Sequence, residues 1–221
     1  MGARASWHAG NAAQGYGDKD LLRRAIARAP GDTTLSIARA AVDAIPPISA
    51  SQATTMWQVA LPDGPWSPQL RIVAVNAGTG RVRVWSAADD VSLAVAVACT
   101  TAAPGAAPPV EVADEVWVDG GVRSSTNADL LIDPDDSGEN TLRLNEPSRV
   151  VVVAPLPSAD LVRDEAALVD EGHSVRTITA DTFYGSAADL MDPNFVEIAA
   201  SAGADQGGRI ANDLAAWWDR T

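Results

Sequence analysis

Val150-Val151-Val152-Val153-Ala154 leads through Pro155-Leu156-Pro157 to Ser158, then to Asp160 through Glu171, Gly172, and Ser174-Val175-Arg176-Thr177-Ile178-Thr179. The first run is apolar and β-branched throughout, the pattern of a buried strand. Ser158 suits the N-cap of a helix over Asp160 to Glu171, and Gly172 suits its end. Ser174 to Thr179 reads as a second strand. A strand, a helix and a strand within about thirty residues make a βαβ unit, whose two strands must be parallel. This stretch predicts an α/β fold with a mostly parallel sheet flanked by helices.

Upstream, residues 133–148 are polar and acidic and predict a surface insertion. Before them, Val116-Trp117-Val118 reads as a short strand running into Asp119-Gly120-Gly121. Leu93 to Ala103 is small and apolar, which suits a buried helix ending at Pro104-Gly105. Leu70 to Val75 and Val82 to Trp85, joined across Gly78-Thr79-Gly80, predict a hairpin. Three helices precede it: one from Asp20, one capped by Asp32 or Thr33 that stops before Pro46-Pro47, and one opened by Ser49 or Ser51. Residues 1–18 have no apolar period and predict a frayed start. Downstream, one helix is expected from Asp192-Pro193 and another from Gly203 to Trp218. No repeat and no dividing linker is evident, so residues 19–221 are expected to form one domain.

The 221 residues make 22.9 kDa, and 16 basic against 29 acidic side chains leave a net charge of −13. Such a chain repels phosphate backbones, so no nucleic-acid partner is expected. One cysteine excludes an internal disulfide, and two histidines exclude a multi-histidine metal cage. No cofactor and no metal is expected. No apolar run approaches the ~20 residues of a spanning helix. A secretory pattern is not seen at the N-terminus, so a cytoplasmic location is expected, with peripheral membrane attachment allowed. Met1-Gly2-Ala3-Arg4-Ala5-Ser6 fits the myristoylation pattern, though a short match of this kind also suits an unmodified start. The preference for Arg over Lys suggests a bacterial source with a GC-rich genome.

Asp119-Gly120-Gly121 is the sharpest chemical feature. A carboxylate at the C-terminal end of a strand faces the crevice where open α/β sheets place ligands. Two glycines let the backbone turn tightly and approach a neighbour. The tripeptide alone is equally an ordinary turn.

Its surroundings narrow the choice. Ala98-Cys99-Thr100-Thr101-Ala102-Ala103-Pro104-Gly105, then Pro108-Pro109, then Val116 to Ser124 and Thr126 to Leu130, form a series that resembles the C-terminal half of bacterial patatin-like phospholipases. The resemblance takes in Leu70 to Gly80 and extends weakly to the C-terminal helices. It implies a patatin-like hydrolase architecture and hydrolysis of lipid acyl esters, as a phospholipase or esterase, by a Ser-Asp dyad without histidine. Asp119 would be the dyad aspartate, and Gly120 and Gly121 would shape its turn. Only His8 and His173 occur, and each reads as a surface or structural residue.

The dyad serine needs a strand-to-helix elbow, Gly-x-Ser-x-Gly. No such pentapeptide occurs: Gly172-His173-Ser174 lacks the second glycine, and Gly185-Ser186 has the wrong spacing. The glycine-rich oxyanion loop of the family is not found either. The chain therefore reads as an N-terminally incomplete domain carrying the aspartate side alone. Three origins stay open: a fragment, one half of a split enzyme whose partner chain supplies the serine, or a non-catalytic remnant or interaction module.

Lesser candidates have plainer readings. Ser124 and Ser125 follow the turn and suit loop hydrogen bonding better than nucleophilic attack. Arg123 suits a local ion pair better than a headgroup site. Cys99 reads as a buried small hydrophobe. Ala106-Ala107 stand where the family often has an aromatic residue. Asp133-Pro134-Asp135-Asp136-Ser137-Gly138 has Leu144 where a calcium loop needs Glu. Trp217-Trp218 suits helix packing better than lipid contact, and the other tryptophans show no stripe.

Overall fold

The structure is a computed structural model that describes residues 17–28, 31–62, 64–132, 143–181 and 193–219. The frayed start, His8, the core of the acidic insertion with its calcium-like run, and Gly185-Ser186 lie outside these residues.

The described elements begin with α1 (Lys19–Ala27), whose N-cap Asp18 accepts the N–H groups of Asp20 and Leu21. Next come α2 (Thr34–Ala44) and, after the two-residue β1 (Ile48–Ser49), α3 (Ala50–Trp57). Thr33 and Ser49 start the two helices with reciprocal capping boxes. The hairpin follows as β2 (Ile72–Asn76) and β3 (Val82–Trp85). Ser92 caps α4 (Leu93–Thr100), which precedes β4 (Val110–Val112) and β5 (Glu115–Asp119). Short 3-10 turns at Gly120–Val122 and Ala128–Leu131 lead on. The βαβ unit is β6 (Arg149–Val153), α5 (Ala159–Asp170) and β7 (Ser174–Ile178). A 3-10 turn at Pro193–Phe195 opens α6 (Val196–Trp218).

The α/β class is as the sequence predicts. The main sheet runs β1-β4-β5-β2-β3, and β6 and β7 form a second sheet. The β6–β7 and β1–β4 pairs are parallel; β2–β3, β2–β5 and β4–β5 are antiparallel. The large sheet is thus more mixed than a mostly parallel one. Its short links explain this: a link such as Ala113-Asp114 can only reverse the chain, whereas a parallel pair needs a helical crossover. The strand Val110–Val112 is an element that the sequence reading missed. It is three residues long and follows a proline pair.

The main sheet is packed on both faces, so its strands alternate between two cores. Ile72, Ala74, Trp85, Val110 and Trp117 face α3 and α4, meeting Ala53, Val95, Ala96 and Cys99. Val75, Ala77 and Val118 face α1 and α2, meeting Ala25, Ile37, Ala38 and Ala41. Trp57, Trp66, Trp85 and Trp117, which looked scattered in the sequence, converge on the first core. The Trp85 and Trp117 rings lie 4.9 Å apart, with Trp57 and Trp66 packed alongside. The smaller sheet has one well-covered face: Val150, Val152 and Ala154 pack with Leu161 and Leu168, while Val153 on the opposite face is 69% exposed.

Two expected helices near the C-terminus are one. Val196 to Trp218 is continuous, because Gly203, Gly207 and Gly208 weaken a helix without ending it.

Candidate functional site

Asp119 is the last residue of β5, paired with Ala74 of β2. Its N–H donates to Ala102 O at 3.2 Å, which ties it to the small-residue turn after α4. The next residue packs against the β2 backbone: a Cβ on Gly120 would lie 2.6 Å from the Val73 carbonyl oxygen, so only glycine fits. The Gly121 N–H donates to Asp119 Oδ1 at 2.7 Å, and a Cβ on Gly121 would press on that same oxygen at 3.0 Å. A side chain at the first glycine would thus collide with the neighbouring strand, and one at the second would crowd the carboxylate.

The Asp119 side chain is half-buried. Burial pushes its pKa up to about 6, against the downward pull of the Gly121 N–H bond. Near neutral pH such a carboxylate is ionised yet basic enough to accept a proton, as a general base requires.

The turn is held from two sides. Asn127 donates from Nδ2 to Gly120 O at 3.0 Å and to Ser124 O at 2.8 Å. Arg28, just past the end of α1, donates to Gly121 O at 3.1 Å and Val122 O at 2.5 Å. Its Nε also lies 3.1 Å from Asp160 of α5. Arg163 joins Asp160 and Asp164 at 2.8 Å each. Asp164 is fully buried and accepts from Ser124 Oγ at 2.6 Å and Thr126 Oγ1 at 2.7 Å. A polar chain thus runs from the Asp119 turn to the βαβ unit.

The plainer readings agree with these positions. Ser124 is fully buried and its hydroxyl is committed to Asp164, so it serves the loop. Ser125 Oγ meets Ser158 Oγ at 2.7 Å. Arg123 makes the expected local ion pair, two-pronged, with Asp129 at 2.7 and 2.9 Å. Burial alone would raise the Asp129 pKa, but Arg123 holds it below the ordinary value. Burial raises the Cys99 thiol above its ordinary value, which keeps it unreactive. His173 is buried, and its Nδ1 accepts the Ser148 N–H at 3.1 Å, a structural role. Trp217 is buried under Arg176, whose guanidinium carbon lies 5.6 Å from the ring centroid.

The sequence reading missed Arg28, Asp160 and Asp164. Arg28 precedes its carbonyl partners by more than ninety residues, and no local spacing foretells such a contact. Asn127 had a signal: it lies within the motif series that carried the family resemblance.

A groove of about 890 Å³ lies elsewhere, between the carboxyl ends of β6 and β7 and the length of α6. Val153, Ile178, Phe195, Ile198, Ile210 and Leu214 are among its walls, and none of Asp119, Gly120 and Gly121 is. Among the described residues no group of acidic, histidine or cysteine side chains could hold a metal ion. Among the same residues no helix is long and apolar enough to cross a membrane.

The family model for patatin-like phospholipases matches residues 1–132, more than half of the chain, and the chain belongs to that family of lipid hydrolases. The match includes the Asp119 turn and ends before the βαβ unit, so the weak resemblance of the C-terminal helices lies beyond it. No curated protein and no solved structure matches the chain.

Proposed function

We propose that this chain acts in the hydrolysis of lipid acyl esters, with Asp119 as the base of a Ser-Asp dyad. The observation that carries the reading is the Asp119 carboxylate itself, half-buried, raised to about 6 and aimed by the Gly121 N–H within the region matched by the family. In the first step Asp119 takes the serine hydroxyl proton while the serine oxygen bonds to the ester carbonyl carbon. The proton then passes to the departing alkoxide, leaving an acyl-serine and an alcohol. In the second step Asp119 takes a proton from water as the water oxygen bonds to the acyl carbon, then returns it to the serine oxygen as the acyl–serine bond breaks and the fatty acid leaves.

Gly-x-Ser-x-Gly does not occur in the 221 residues, so the serine in this reading comes from polypeptide beyond them. The test supplies that serine. The chain is assayed on a short-chain ester alone and together with a serine-bearing elbow segment of the family, with fluorophosphonate labelling throughout. Hydrolysis that needs the added segment and disappears in Asp119→Asn is the expected result. A labelled serine in this chain alone, or hydrolysis that survives Asp119→Asn, overturns the reading. A non-catalytic interaction module, which the missing pentapeptide favours, gives no hydrolysis in either mixture.

A further inference from the structure

Arg28 occupies a backbone position that suits a glycine. It follows the last residue of α1 with φ 47° and ψ 76°, in the left-handed region, while its N–H still donates to Arg24 O. Helices commonly end this way on glycine, because a Cβ in that region is strained. Strain retained at one residue points to a task for its side chain. Here the side chain reaches the Asp119 turn: one guanidinium nitrogen donates to the carbonyls of both Gly121 and Val122, and Nε faces Asp160 at 3.1 Å. The carbonyls and the carboxylate belong to segments distant in sequence. Nε and one terminal nitrogen are thus both used, the first on α5 and the second on the turn.

We propose that Arg28 is a positioning residue for Asp119: it pins the carbonyls that follow Gly121, and Asp160 holds the guanidinium in place to do so. The inference rests on Asp119 being the base, and it names the device that keeps that base aimed. The Gly121 N–H and C=O belong to the same residue. They lie in adjacent peptide planes: Asn127 holds the plane of the N–H through Gly120 O, and Arg28 holds the next plane through Gly121 O, so the two together fix the Gly121 turn from which the N–H donates to Asp119 Oδ1. A lysine cannot reproduce this, because a single ammonium lacks the planar fork that serves carbonyl and carboxylate together.

The experiment measures hydrogen exchange at the Gly121 amide in the 221-residue chain. Arg28→Gly removes the side chain and relieves the left-handed backbone, so the variant folds without the strain of the original. Asp160→Asn keeps Arg28 but weakens its hold, which guards against failure of the first variant. The Gly121 amide is expected to exchange about tenfold faster in Arg28→Gly, the effect of losing a charge-assisted hydrogen bond, and less so in Asp160→Asn and Arg28→Lys. Millimolar ethylguanidinium is expected to restore protection in Arg28→Gly alone, because the free cation fits the vacated fork. Amides of β2 and β3 keep their rates. An unchanged Gly121 rate, or a rise shared by every amide and insensitive to ethylguanidinium, overturns the proposal. This readout needs no hydrolysis, so a failure of the dyad reading shows separately, as no turnover in the unmutated protein with the serine-bearing segment added. Where turnover is measured, kcat falls in Arg28→Gly with KM unchanged, and an unchanged kcat overturns the positioning role.

Discussion

On the proposed dyad reading, Asp119 couples function to stability through one proton. Its pKa lies near 6 in the folded chain and near the ordinary carboxylate value when unfolded. The folded state therefore binds the proton more tightly, and stability falls as pH rises from about 4 to about 6 before levelling off. The ionised, half-buried carboxylate destabilises the fold above that window by an amount on the order of 2 kcal/mol. Asp119→Asn keeps an oxygen for the Gly121 N–H and carries no charge to desolvate. It is expected to be more stable than the original at pH 7.5, with the advantage gone near pH 4, as urea titrations at the two pH values would show. The same proton sets the activity profile. A base must be ionised, so kcat/KM measured with the serine supplied should fall below a pKa near 6. A flat stability difference across that range would mean that Asp119 is as well solvated as an ordinary surface carboxylate.

At the scale of elements, helix boundaries were legible wherever caps and apolar period agreed. Ser158, Thr33 and Ser49 all cap the helices that the sequence assigns to them. The reading failed in α6, where one helix from Asp192-Pro193 and another from Gly203 were expected and a single helix runs from Val196 to Trp218. A helix is broken by a missing donor or a steric clash, and glycine brings neither. The four-valine strand was misjudged in a different way. Its apolar run suggested burial on both faces, but only α5 covers it closely, and Val153 faces the groove. Pattern reports what a face could bury, and only the topology says what lies opposite. The glycines of α6 remain as weak points, since a Cβ on Gly203 or Gly208 meets nothing within 4 Å. Replacing each with alanine should stabilise the protein by about 0.8–1 kcal/mol. For a chain of this size that is a rise of roughly 2–4 °C in Tm for each substitution, measurable by calorimetry. No rise would show that α6 already frays in the folded state.

At the scale of the molecule, the motif of the proposed site was readable as a run of sequence and the contacts around it were not. Asp119, Gly120 and Gly121 are adjacent in sequence, whereas Arg28, Asp160 and Asp164 reach the turn only after the chain has folded. The support also joins the main sheet to the βαβ unit through Asp164, which is fully buried and receives Ser124, Thr126 and Arg163 together. A buried carboxylate with three partners is a point of high consequence. Removing it strands the buried Ser124 hydroxyl and the partly buried Thr126 hydroxyl, while the exposed Arg163 can turn to water. Asp164→Ala should therefore destabilise the protein by about 3–5 kcal/mol. Ser124→Ala should have a smaller effect, about 1–3 kcal/mol, since Thr126 and Arg163 still serve the carboxylate. The two losses share a bond, so the double variant should fall short of their sum. Urea unfolding of the four proteins closes that cycle. Hydrogen exchange shows where the loss falls, with β6 and β7 amides in Asp164→Ala loosening more than those of β2 and β5. An Asp164→Ala loss below about 1 kcal/mol would sink the argument, because exchange of this kind with water is open only to a surface carboxylate.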